Sequence, residues 1–166
     1  HGARKRGSGT GGAGGDGRAS LRQAGPRVER NIVEKVIALE GVELLSGLTP
    51  DQLAQIALIA KEVSYGPEKV ILTPSQPMDA LYVLLEGAVE ISRNGQPLHV
   101  ARQSEVLGSW ALFDDSPSPV TAKTVEDTAL LRIAREDFYD LLSDHMELAA
   151  AIFSTLVRRF RKLIET

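Results

Sequence analysis

Between Val28 and Glu40 the apolar residues Ile32, Val33, Val36, Ile37 and Leu39 recur with helical spacing. The pattern predicts a first helix, and Gly41 stands where a left-handed cap would end it. Thr49, Pro50 and Gln52 then form a helix start: an N-cap hydroxyl, a proline at the first helical position and a glutamine three residues after the cap. Leu48 and Leu53 occupy the positions of a hydrophobic staple. The second helix carries Leu53, Ile56, Ala57 and Ala60 on one face and is expected to run to near Tyr65.

After Gly66 and Pro67 the period changes to short β-rich runs. Six strands are expected: Lys69 to Leu72, Leu81 to Leu85, Val89 to Ser92, Leu98 to Ala101, Val120 to Val125 and Ala129 to Ile133. Asn94-Gly95 marks a hairpin, because both residues tolerate the positive φ of a type I′ turn. Short strands at this spacing argue for a sandwich or barrel. Helix returns near Arg135 with Phe138, Leu141 and Leu142 on one face. A last amphipathic helix runs from about Met146 to Glu165 through Leu148, Ile152, Leu156, Phe160 and Leu163. The fold class is therefore mainly β, with N-terminal helices and two C-terminal helices flanking the strands.

Composition narrows this picture. The 166 residues are 43% hydrophobic and 25% charged, which suits one globular domain with one core. Residues 1–26 are Gly-rich with Arg4, Lys5 and Arg6 at their head, and are expected to form a disordered tail or linker; residues 27–166 form the domain. The chain begins at His1 and reads as a fragment of a longer polypeptide. A net charge of -3 offers no footprint for a phosphate backbone, so no nucleic-acid partner is expected of this fragment. No apolar run is long enough for a membrane span. Cysteine is absent, which removes disulfides and thiolate chemistry and fits a cytoplasmic setting, either free or as the cytoplasmic domain of a membrane protein.

Catalytic patterns are missing. A jelly-roll metal enzyme needs several closely spaced histidines, and this chain has only His1, His99 and His145. His99 reads as a half-buried strand residue. No nucleophile elbow, phosphate loop or EF-hand pattern occurs. The pairs Asp114 with Asp115 and Glu136 with Asp137 are adjacent in sequence, so their side chains do not face each other. No enzyme, no metal and no cofactor are expected. The pairs Ser116-Pro117 and Ser118-Pro119 have the form of proline-directed phosphorylation sites, a form common on surfaces. Trp110 reads either as core beside Leu112 and Phe113 or as a stacking platform for a flat ligand.

The phrases Leu44-Leu45-Ser46-Gly47-Leu48, Asp79-Ala80-Leu81-Tyr82 through Gly87, Glu105 to Thr124 and Leu130-Leu131-Arg132-Ile133 carry a resemblance. Over roughly Val42 to Ile164 the chain resembles the cyclic-nucleotide-binding domain family of catabolite activators, kinase regulatory subunits and gated channels. The resemblance implies a double-stranded β-helix, or jelly roll. It also implies a phosphate-binding cassette for cAMP or cGMP.

Such cassettes usually read Phe-Gly-Glu-Leu-Ala-Leu-Leu, a few variable residues, then Pro-Arg-Ala-Ala-Thr. The glycine admits the ligand, a short helix points amides at the phosphate, the glutamate accepts the ribose hydroxyl and the arginine meets the phosphate. Here the cassette residues are Gly108, Ser109, Trp110 and Ala111, then Ser118, Pro119, Val120 and Thr121. Ser109 stands at the glutamate position and Ser118 at the arginine position, while Pro119 has no N–H to give. Lys123 alternates with Ala122 on its strand and is expected to point to water. Glu68, Ser75 and Met78 replace loop glycines, so those loops are expected to turn differently.

Two functional classes follow from this sequence. One is a non-catalytic regulatory module of a larger protein, with the usual cAMP or cGMP binding weak or lost. The other is a sensor that holds a cyclic nucleotide or another small ligand by atypical contacts. The expected partners are the rest of a parent polypeptide and a second copy meeting the C-terminal helix. The cluster Arg158, Arg159, Arg161 and Lys162 suits that helix's C-terminus electrostatically.

Overall fold

A computed structural model describes residues 30–165, so the Gly-rich tail expected over residues 1–26 lies outside the described residues. The elements are α1 (Ile32–Leu39), a 3-10 turn (Glu43–Leu45), α2 (Pro50–Ile59), β1 (Lys61–Tyr65), β2 (Val70–Leu72), β3 (Ala80–Glu86), β4 (Val89–Arg93), β5 (Gln96–Ala101), β6 (Val106–Leu107), β7 (Thr121–Thr124), β8 (Thr128–Ala134), α3 (Arg135–Asp144) and α4 (Met146–Glu165). The strands form two antiparallel four-stranded sheets, ordered β1-β8-β3-β6 and β2-β7-β4-β5. With helices at both ends of the described residues, this is the jelly roll with flanking helices that the sequence implied.

β3 explains why the molecule has two cores. Ala80, Tyr82 and Leu84 point between the sheets, with Leu107, Ala122 and Leu130, while Leu81, Val83 and Leu85 point to the helices, with Leu39, Ile56, Phe138 and Leu148. A strand covered on both faces is apolar at every position, which is why this segment shows no alternation. Gly47 seats the last helix: a Cβ there would collide with the Thr155 hydroxyl, so the bare backbone lets α4 lie against the turn before α2.

Local signals were accurate where a side chain completes the backbone's hydrogen bonding. The Gln52 amide donates to the Thr49 hydroxyl at 3.2 Å and the Gln52 side-chain oxygen accepts from the Thr49 amide at 3.0 Å, closing the capping box. Leu48 and Leu53 are buried in one cluster. Asn94 and Gly95 both have positive φ, 52° and 79°, as a type I′ hairpin demands.

Three expectations need correction. The second helix ends at Ile59, and Lys61–Tyr65 is strand β1, because Val63 and Tyr65 gain a place in the inter-sheet core and pair with Leu130 and Thr128. Gly41 adopts no left-handed cap; positive φ among the described glycines occurs at Gly87, Gly95 and Gly108, and a right-handed turn carries Val42 back onto Leu39. On α1 the buried positions are Lys35 and Leu39, while Val33 and Ile37 are exposed. The Lys35 ammonium donates to the Ala60 carbonyl at 2.8 Å, completing the C-terminus of α2. Glu68 holds a left-handed φ of 64°, a region that favours glycine, and its amide donates to the Thr124 carbonyl at 2.8 Å.

Candidate functional site

The cassette begins where β6 ends against β3. Tyr82 and Leu107 are register partners, and the next residue, Gly108, turns left-handed at φ 71°. A Cβ at Gly108 would lie 3.1 Å from the Ala80 carbonyl, so this close approach and this φ both favour glycine. A helical turn follows. The Ala111 amide donates to the Gly108 carbonyl, and the Phe113 and Asp114 amides both donate to the Trp110 carbonyl, each at 2.9 Å. Ala111 and Leu112 are buried, and the Phe113 ring meets the fully buried Phe138 ring edge to face at 5.9 Å.

The segment after this turn is closed by its own side chains. The Asp114 carboxylate accepts from the Ser116 amide at 2.9 Å and from its hydroxyl at 2.7 Å. These two bonds hold the Asp114 carboxyl below its ordinary range. Pro117 bridges to Pro77 in the β2–β3 loop. Ser118 is buried; its hydroxyl donates to the Val120 carbonyl at 2.7 Å and accepts from the Val120 amide at 3.2 Å. Pro119 is exposed, and Val120 and Thr121 are half-buried at the start of β7.

Ser109 and Trp110 do not share one environment with Ser118. Ser109 lines a cleft of about 400 Å³ with Val42, Glu43 and Arg159 on the helix side of the cassette. Trp110 is 57% exposed, so it is not a core residue: the core positions of its turn are taken by Ala111 and Leu112. Its ring sits between that cleft and an apolar groove of about 450 Å³ formed with Phe153, Val157, Phe160 and Leu163 of α4. Lys123 points away from the roll interior and lies 3.8 Å from the Glu68 carboxylate, as strand alternation requires. His99 is exposed rather than half-buried, and its Nε2 lies 2.6 Å from the Glu105 carboxylate. Burial alone would raise the Glu105 carboxyl, but the bonds from His99 and from the Arg102 amide outweigh it and hold the carboxyl low.

One residue the sequence reading passed over organises this region. Arg135, the first residue of α3, sends its guanidinium to the Ala111 carbonyl at 2.6 Å, to the Asp114 carbonyl at 3.2 Å and to the Met78 carbonyl. A signal for it existed: a cation in the first turn of a helix opposes the macrodipole and needs another reason to be there. Among the described residues no cluster of histidine or carboxylate side chains has the arrangement to hold a metal ion, and no helix is long and apolar enough to cross a membrane.

This chain belongs to the cyclic nucleotide-binding domain family, whose model matches residues 62–145, just over half of its length. It is 31% identical over 106 residues to a cAMP-dependent protein kinase regulatory subunit of Aspergillus niger, covering 63% of this chain and 26% of that one. A CRP-like cAMP-activated global transcriptional regulator of Mycobacterium tuberculosis is 22% identical over 135 residues, 78% of this chain and 59% of the regulator. Among solved structures, the N-terminal domain of a transcriptional regulator from Streptomyces coelicolor superimposes with a TM-score of 0.72 at 28% identity, covering 78% of this chain and 96% of that one. The chain thus spans about a quarter of the kinase subunit and 59% of the CRP-like regulator.

Proposed function

We propose that this chain is a non-catalytic regulatory module of a larger cytoplasmic protein, or of the cytoplasmic part of a membrane protein, in which the usual binding of cAMP or cGMP is weak or lost. The observation that carries the reading is Ser118: where the family resemblance places a phosphate-binding arginine, this side chain is buried and turned back onto Val120. Ser109 and Pro119 remove two further contacts. With about 1.5 to 3 kcal/mol for the charged contact and about 0.5 to 1.5 for each of the others, affinity falls by roughly two to four decades. Equilibrium dialysis of the chain against labelled cAMP and cGMP tests the reading: retention at micromolar ligand would overturn it.

Partners follow from the same surface. The exposed stripe on α4 repeats every seventh residue, Met146, Phe153, Phe160 and again Val157, Ile164, while Arg158 and Lys162 lie on the opposite side of the helix. This apolar stripe, with Arg159 at its edge, supports pairing with a second copy of this helix. The net charge of -3 supports no nucleic-acid role for this part of the protein. A second reading, a sensor for another small ligand, is favoured by the cleft that brings Ser109 and Trp110 beside Arg159, whose guanidinium is paired with Glu43 at 3.1 Å.

A further inference from the structure

The cassette turn ends in carbonyls that its own backbone does not satisfy, and the turn carries a partial negative charge at that end. Arg135 meets it there. Its Nε donates to the Ala111 carbonyl at 2.6 Å and its Nη2 donates to the Asp114 carbonyl at 3.2 Å, so one planar fork spans the last residues of the turn. The same Nη2 donates to the Met78 carbonyl of the β2–β3 loop, and the Arg135 amide donates to the Asp79 carbonyl at 2.9 Å. Three segments that are remote in sequence therefore converge on one residue. Apolar contact runs parallel to this: Phe113 of the turn lies edge to face on Phe138, one turn further along α3.

We propose that Arg135 is the positioning residue of the cassette: its guanidinium sets the orientation of the 108–114 turn and joins it to α3 as a single opening unit. The inference rests on the chain's own hydrogen bonds and holds whether or not a nucleotide binds. A lysine in its place keeps the charge but loses the fork that reaches two carbonyls at once.

Amide hydrogen exchange on the full chain tests this. In the wild type, the Ala111, Phe113 and Asp114 amides and the Tyr139 amide of α3 are expected to open with one common equilibrium constant. Arg135→Lys is expected to speed all four by about tenfold, and Arg135→Ala by more, with the Leu130 and Leu131 strand amides unchanged. Steady-state anisotropy of Trp110, the lone tryptophan, falls in the same order. Arg132→Ala is the control, since Arg132 is half-buried on β8 and contacts Tyr82 and Asp79 but not the cassette. It leaves the cassette rates at wild-type values. The proposal is overturned if the cassette and α3 open more than about tenfold apart in the wild type, if Arg135→Lys leaves the cassette rates unchanged, or if it speeds the strand amides equally. Should Arg135→Ala fail to fold, the wild-type comparison and the lysine variant decide the matter alone.

Discussion

The Ser118 hydroxyl and the Val120 backbone form a closed pair, donating at 2.7 Å and accepting at 3.2 Å. A side chain engaged in this way stabilises the entry to β7. Ser118→Ala is expected to cost about 1 kcal/mol, the worth of one buried hydrogen bond, measured as a lower urea midpoint at unchanged slope. An unchanged midpoint would show that the pair contributes nothing to folding.

Glu68 has a left-handed φ of 64°, a conformation that costs an L-residue about 1–2 kcal/mol and glycine almost nothing. Its ion pair with Lys123 spans 3.8 Å between largely exposed groups and adds little. Glu68→Gly is therefore expected to raise stability by about 1 kcal/mol after the entropy of the unfolded glycine is counted. Thermal unfolding checks the sign; a lowered midpoint would contradict the account of this loop.

Acid should remove two carboxylate contacts, Asp114 to Ser116 in the cassette and Glu105 to His99 and the Arg102 amide between β5 and β6. Asp114 lies below its ordinary value of 3.8 because Ser116 donates to it twice, and Glu105 lies below 4.5 because His99 and the Arg102 amide outweigh the effect of burial. Both folded values are depressed, so their stabilisation is present above those ordinary values and is lost as the pH falls through the lowered ones. Carboxyl carbon titration by NMR should show both midpoints below the ordinary values, and His99→Gln should move Glu105 upward. A Glu105 midpoint that stays fixed or moves down in that variant would refute the pairing.

The α4 stripe gives a prediction about mass. Phe160 is 62% exposed near the C-terminal end of the repeat, and a charge placed in an apolar seam is strongly unfavourable. Sedimentation of the wild-type chain should show a dimer at micromolar concentration, and Phe160→Glu should shift it to monomer with unchanged circular dichroism. A wild-type chain that stays monomeric throughout would remove the second copy as partner.

What the sequence revealed, and what it hid, divides along a physical line. Thr49, Gln52, Asn94 and Gly95 act on backbone within a few residues, so their spacing alone fixed the capping box and the hairpin. Strand β1 was read as the tail of α2 because Val63 and Tyr65 become strand residues only by pairing with β8, nearly seventy residues away. The need for glycine at Gly108 was legible, and the structure gives that residue a left-handed φ of 71°. Trp110 was not, since its exposure depends on how α4 is seated, and neither was Arg135, whose three carbonyl partners come from segments that meet only in the folded chain.

Calorimetric titration of cAMP and cGMP into the wild-type chain and into the Ser109→Glu, Ser118→Arg double variant tests the central reading most directly. The account predicts no saturable heat for the wild type at micromolar ligand and a gain of roughly two to three decades in affinity for the double variant, which restores two of the three altered contacts. Micromolar binding by the wild type, with no gain in the double variant, would contradict it.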